Sequence, residues 1–232
     1  MLPVTVVADD AEDLVTGTRL AELLRAGRNI VSNYQELIND PALGDKHLTS
    51  ERFTQEATAL YSKSTGHDPL SGDLSERDKR LLNAQVEAMR EVLDEQQADI
   101  NREGIGFKGF VPAVFARLVN EKFTAKVGEF ARVRVTAPEH LVRNRKSLPD
   151  KWEAGIIEGV FSDPTRPKGD VYTEVTEADG RQAFRMLLPE YYTESCLSCH
   201  GAPKGEIDVT GYPKEGGKAG DLGGAISIVL FK

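Results

Sequence analysis

Apolar residues in the first hundred positions return at alternating steps of four and three. Leu20, Leu24, Val31, Tyr34 and Ile38, with Gly27 in the gap, form one stripe, as expected for a helix with a single buried face. The pattern predicts a helix from about Asp10 to Asn39. Asp40-Pro41 stops it, because the residue before a proline is driven out of helical conformation. A shorter helix is predicted near Glu51 to Ser62, closed by Gly66 and the Asp68-Pro69 turn. Leu82, Val86, Met89, Leu93, Gln96 and Ile100 then repeat the step over about 28 residues, a helix on the order of 40 Å long. Two long stripes of matching period predict an antiparallel helical hairpin. The rival reading is a parallel coiled coil, a homodimer through the same long helices.

The pattern changes at Gly104-Ile105-Gly106-Phe107-Lys108-Gly109, which divides the chain into a helical region, 1–105, and a second domain, 106–232. Pro112 opens a helix carrying Val114, Phe115, Leu118 and Val119. Beyond it the period drops to two. Val133 and Val135 alternate with Arg132 and Arg134, Val171 to Thr176 is β-branched, Arg181 to Leu188 follows the Ala178-Asp179-Gly180 turn, and Ala225 to Phe231 forms a last strand. One helix interrupts them, from about Asp150 to Phe161, burying Trp152, Ile156, Ile157 and Val160. The expected fold class is α+β: an N-terminal long-helix hairpin, then an antiparallel sheet with flanking helices.

Composition narrows the function. The chain has 232 residues with 29 Lys and Arg against 37 Asp and Glu, a formal charge of −8, which argues against nucleic acid or an anionic membrane as partner. No stretch approaches a membrane span. The start, Met1-Leu2-Pro3-Val4-Thr5-Val6-Val7-Ala8-Asp9, is too short in its apolar part for a complete signal peptide. It reads as the stub of one or as an ordinary terminus.

The chemistry lies in the two cysteines. Cys196-Leu197-Ser198-Cys199-His200 is the c-type haem attachment motif. Two thiols at this spacing each add across one haem vinyl group, and the histidine after the second bonds the iron from the proximal side. The bland readings fit less well. A thioredoxin-type pair opens a helix after a parallel strand, a context not found here. A zinc site needs two further ligands, and no second pair at workable spacing exists. The expectation is one covalent haem c on Cys196 and Cys199, with His200 as the metal ligand. Such attachment takes place outside the bacterial inner membrane, so the protein is expected to be periplasmic or otherwise exported, with its signal peptide absent or trimmed.

Other residues offer themselves for the pocket. Phe107, Phe110, Val114 and Phe115 would cover the porphyrin, or else form ordinary core. Arg143, Arg145 and Arg185 would pair with the propionates, since a guanidinium fits a carboxylate. The glycine-rich run Gly211 to Gly220 lacks a phosphate-loop pattern and reads as a turn-rich loop beside the haem. For the sixth iron position the choice lies between His47, His67, His140, Met89, Met186, Lys108 and no ligand. Met89 belongs to a core stripe, and His47 and His67 sit in polar loops. His140 and an open site remain the best readings.

The second half resembles a known family, the PAS-like monohaem c-type domains found as stand-alone proteins in cyanobacteria and as periplasmic sensor modules of bacterial histidine kinases and chemoreceptors. The resemblance runs from about Phe110 to Phe231. It rests on Arg143-Asn144-Arg145-Lys146-Ser147-Leu148-Pro149-Asp150-Lys151-Trp152-Glu153, on Phe184-Arg185 through Pro189, on Cys196 to Gly201, and on Gly223-Gly224-Ala225-Ile226-Ser227. It implies a PAS-like fold with haem held against the sheet, and a role in redox or gas sensing and signal transduction. Some relatives carry a cysteine thought to ligate the iron distally, just before the proline-led helix. Here that place reads Phe107-Lys108-Gly109-Phe110, so a thiolate is excluded and Lys108 or nothing takes its position.

The leading expectation is a haem module sensing redox state or CO or NO, partnered by a diatomic gas or a redox protein. The alternative is a small electron-transfer cytochrome c. An enzyme is not expected, because it needs a distal acid or base and only His140 offers one.

Overall fold

The computed structural model describes residues 8–232. The apolar start read as a signal-peptide stub, up to Val7, lies outside the described residues. Helix α1 spans Ala8–Asn33. Its stripe is buried as expected: Leu20, Leu24 and Val31 expose nothing. A single irregular residue, Tyr34, separates α1 from the short α2, Gln35–Asn39. The Tyr34 hydroxyl is tied down by Glu56 at 2.9 Å and Arg52 at 2.7 Å. Helix α3, Ser50–Thr65, starts on a Thr49 cap and ends at Gly66 in the left-handed region. Helix α4, Glu76–Ile100, starts on a Ser75 cap, and α5, Pro112–Val127, has its proline at the first position.

The hairpin partner of α1 is α3, not α4, and this corrects the sequence expectation. Along α1 and α4 the residue numbers rise together: Arg77 bonds Asp13 at 2.5 Å, Thr16 bonds Asp78 at 2.6 Å, and Gln85 donates to the Leu20 carbonyl at 3.1 Å. The two long helices therefore run parallel. Helix α3 runs against both, since Gln97 near the end of α4 donates to the Leu48 carbonyl at its start. Helix α5 returns along α4, with Lys122 on Glu95 and Lys126 on Glu91, each at 2.6 Å. The result is a four-helix bundle of α1, α3, α4 and α5. The apolar stripes of α1 and α4 are spent inside it, so the seam that a coiled-coil homodimer requires is already covered.

Strands β1 (Ala131–Thr136), β2 (Tyr172–Ala178), β3 (Arg181–Tyr191) and β4 (Leu222–Phe231) form one sheet in the order β1-β4-β3-β2, every pair antiparallel. Val133 and Met186 both oppose Ile228. On one face Val133, Phe184, Met186, Leu188, Ile226, Ile228 and Leu230 join the bundle residues in a single hydrophobic core. The glycine-rich stretch 104–109 falls in the loop before α5, and apolar packing is continuous across it.

The other face is covered by α6, Lys151–Ile156, which runs on into a π turn at Ile157–Phe161. Asp150 and Glu153 form a reciprocal capping box at its start. Ile156, Ile157 and Phe161 pack on Leu187 and Ala225, with Trp152 and Tyr172 at the rim. The architecture is α+β in three layers, bundle, sheet and short helix, and no helix among the described residues is long and apolar enough to cross a membrane.

Candidate functional site

Strand β3 delivers the cysteine motif. It ends at Tyr191, and Tyr192 still pairs with the start of β4 by donating to the Asp221 carbonyl at 2.9 Å. Two turns follow, a 3₁₀ turn at Glu194–Cys196 and the one-turn helix α7, Leu197–His200. Cys196 and Cys199 are free thiols and partly exposed. The Thr193 N–H donates to the Cys196 sulfur at 3.4 Å.

A polar chain fixes the histidine. His200 Nδ1 lies 2.9 Å from Glu215 Oε2, so with Glu215 ionised the proton sits on Nδ1 and Nε2 carries the free lone pair. Glu215 is held from behind by Arg143, whose Nε and Nη2 reach its two oxygens at 2.9 and 3.2 Å. The same guanidinium donates to Asp208 at 2.6 Å and to the Cys199 carbonyl at 2.9 Å. Asp208 in turn accepts from the Thr210 N–H and hydroxyl at 2.7 and 2.6 Å. The loop that supplies both carboxylates is pinned to the motif by the Gly216 and Gly217 N–H groups, which donate to the Gly201 and His200 carbonyls.

Burial opposes charge on Glu215, but hydrogen bonds from Arg143 and His200 outweigh it and hold its pKa below the ordinary carboxylate value. For Asp208 burial is likewise outweighed, by Thr210 and Arg143, and its pKa is held far below that value. Groups depressed in this way contribute stability above their unfolded pKa, near 4, and that stability is lost as pH falls through the folded value. Urea unfolding midpoints should therefore be level from pH 7 to about 5 and drop below about pH 4. Glu215→Gln should have a shallower acid limb. An acid limb identical in the variant would remove Glu215 from the account.

Several candidates from the sequence stand elsewhere. Arg185 is buried on the far face of the sheet, where it bonds Asp150 at 2.5 Å and lies 4.2 Å from the Trp152 ring, so it serves α6. Arg143 is committed to its two carboxylates, and Arg145 is exposed. Phe110 and Phe115 belong to the bundle core. Met89 and Met186 are buried in that same core. The His47 side chain is 82% exposed, and His67 is exposed in the loop after α3.

Lys108 is held at the bundle end, its backbone N–H on Asn39 and its ammonium on the Ile105 carbonyl. Desolvation, with Lys46 and Arg102 nearby, pulls its pKa down. His140 lies in the 3₁₀ turn Glu139–Leu141. It lines an open cavity of about 550 Å³ with Ile157, Glu158 and Leu222. Leu222 follows Asp221, whose carbonyl accepts from the Tyr192 N–H, but none of Cys196 to His200 lines this cavity.

Three residues of the site escaped the sequence reading: Glu215, Asp208 and Tyr192. The Tyr192 ring stacks on the His200 imidazole, centroids 5.0 Å apart at 17°. The Asp208-Val209-Thr210-Gly211 run carried a turn signal, but no spacing rule brings its carboxylate to Arg143.

The residues fit a covalently held haem. Two free thiols lie in consecutive short turns, and the adjoining imidazole has one nitrogen engaged and the other left for a metal. On an α+β frame this arrangement defines the c-type haem proteins. The sequence model of the Tll0287-like family matches residues 73–230, and the chain belongs to that family, the PAS-like monohaem c-type cytochrome sensors. The match begins just before α4, so the family unit is larger than the Phe110 to Phe231 resemblance and takes in half of the bundle. Comparisons with curated proteins and with solved structures gave no match.

Proposed function

We propose that this chain is an exported sensor module holding one haem c through Cys196 and Cys199, with His200 as proximal iron ligand, and that it responds to redox state or to a diatomic gas. The observation that carries the reading is the chain from Arg143 through Glu215 to His200 Nδ1. A histidine with one nitrogen held by a carboxylate that is itself held by an arginine has the tautomer and orientation of a metal ligand. Bound haem supplies a one-electron iron couple and, where the sixth position is open, a site for CO or NO. The protein's part is to hold the imidazole, shape the cavity beside His140, and transmit the change.

Contacts between the bundle and the sheet support the sensing reading. Arg25 and Arg28 of α1 grip Glu190 at 2.7 and 2.5 Å, two residues before Tyr192. The bundle thus holds the strand that feeds the haem turn, which favours sensing over simple electron transfer.

The direct test is expression with a haem-maturation system. The native chain should keep its haem through acid-acetone extraction, and Cys196→Ala/Cys199→Ala should lose all of it. Ferrous native protein should change its spectrum on adding CO or NO. Covalent haem in the double variant would sink the attachment site. A spectrum indifferent to both gases and to His140→Ala would leave redox state as the signal.

A further inference from the structure

Tyr192 is the least explained residue of the site. Its side chain is buried, with the residue 9% exposed, yet its hydroxyl has no hydrogen-bond partner among the described residues. A buried, unpaired hydroxyl is costly, so its retention calls for a reason. The ring is held on both sides. A Cβ at Gly217 would come within 2.7 Å of its Cε2, and one at Gly223 would collide with its Cε1 and Cδ1. The backbone at both positions has been brought close enough that only glycine fits. The ring so clamped lies nearly parallel to the His200 imidazole, at 5.0 Å and 17°.

We propose that Tyr192 is a positioning residue of the haem site: its clamped ring fixes the plane of the His200 imidazole, and its unpaired hydroxyl is the donor that bound haem takes up. This rests on the reading of His200 as iron ligand. Glu215 fixes which nitrogen is free and anchors one edge of the imidazole, but a single hydrogen bond still allows rotation about its own axis. A flat stack removes that rotation. Two restraints from different directions therefore define both the bond axis and the ring plane.

Two substitutions separate the halves of the proposal. Tyr192→Phe keeps the ring and removes the hydroxyl, while Tyr192→Leu removes the stack. Haem-methyl proton shifts of the ferric protein, with cyanide added to give low-spin iron, follow the plane of the axial imidazole. They should be rearranged in Tyr192→Leu and retained in Tyr192→Phe. Tyr192→Phe should instead move the midpoint potential, by about a tenfold change in the redox equilibrium, or ~59 mV for one electron. Gly217→Ala, which presses the ring from its edge without removing it, should move the methyl shifts in the same sense as Tyr192→Leu and guards against a leucine variant that fails to fold.

Unchanged methyl shifts in both Tyr192→Leu and Gly217→Ala would overturn the stacking role. An unchanged potential in Tyr192→Phe would overturn the hydroxyl's. Pyridine haemochrome assays on every sample keep the two readings apart. Full haem content with native-like shifts and potential refutes the role of Tyr192 alone, whereas a native chain without covalent haem refutes the attachment site.

Discussion

Phe115→Ala is expected to destabilise the whole chain by about 3–5 kcal/mol, and to do so equally for the bundle and for the sheet. Phe115 exposes nothing. Its ring meets Phe53 at 5.2 Å and Phe110 at 6.1 Å edge-on, and lies against Gly27. The surroundings are helices packed from four sides and cannot collapse into the space, so the cavity penalty adds to the lost burial. The same core continues through Val119, Phe123 and Val127 to Met186, Ile228 and Leu230 of the sheet.

Trp152 is the sole tryptophan and sits on the far face of the sheet, against Tyr172 and Arg185. Urea unfolding can thus be followed on the two sides separately, by the helical circular dichroism band and by Trp152 fluorescence. In the native chain the transitions should coincide, and Phe115→Ala should lower both midpoints by the same amount. A variant in which the helical band shifts while the Trp152 transition stays would show the bundle and the sheet to be separate folding units, as the change of composition at 104–109 suggested.

That change of composition illustrates what a sequence pattern does and does not carry. Gly104 and Gly109 have φ of +75° and +72°; they serve the turns of a loop, and a loop looks the same whether it joins two domains or two helices of one bundle. Periodicity fared well where the cause is local. The stripes of α1 and α4, the proline at the start of α5 and the alternation in β1 each follow from one element's own exposure pattern. It failed on direction, because a stripe says that a face is buried and not which helix buries it. The intervening α3, short and rich in threonine, turned out to be the antiparallel partner of both long helices.

The site divides in the same way. The cysteine spacing is a covalent requirement of three neighbouring residues and is readable at once. The groups that tune it arrive from a distance, Glu215 from 15 positions onward and Arg143 from 56 positions before the carbonyl it bonds. Chain folding alone brings them together. The arginines offered for propionates were sorted by burial: Arg185 answers to Asp150 beneath Trp152, and Arg143 supports the histidine's own partner.

Arg143→Ala is accordingly the surface-to-core change with the greatest expected cost at the site. It leaves two carboxylates facing one another without their cation, and Asp208 has no exposed side-chain area. Breaking a buried pair in this way costs about 3–5 kcal/mol. The lower end, about 3 kcal/mol, is expected here, because the Arg143 and Glu215 side chains keep 19% and 18% of their exposure and water can reach the vacancy. Arg143→Lys should fall between native and alanine. Its point charge remains, but it cannot span Asp208, Glu215 and the Cys199 carbonyl at once.

The effect should also reach the histidine. Without the guanidinium, Glu215 loses the two contacts that aim it, and His200 Nδ1 loses a fixed acceptor. A double-mutant cycle of Arg143→Ala with Glu215→Gln, read by urea unfolding, should return a coupling energy of about 1–3 kcal/mol. In haem-loaded protein the two single variants should shift the midpoint potential in the same direction, since each weakens the proton acceptor that makes the imidazole a stronger donor to iron. An Arg143→Ala protein within about 0.5 kcal/mol of native stability, with an unmoved potential, would mean that Glu215 orients itself without help and that the arginine is a bystander on the loop.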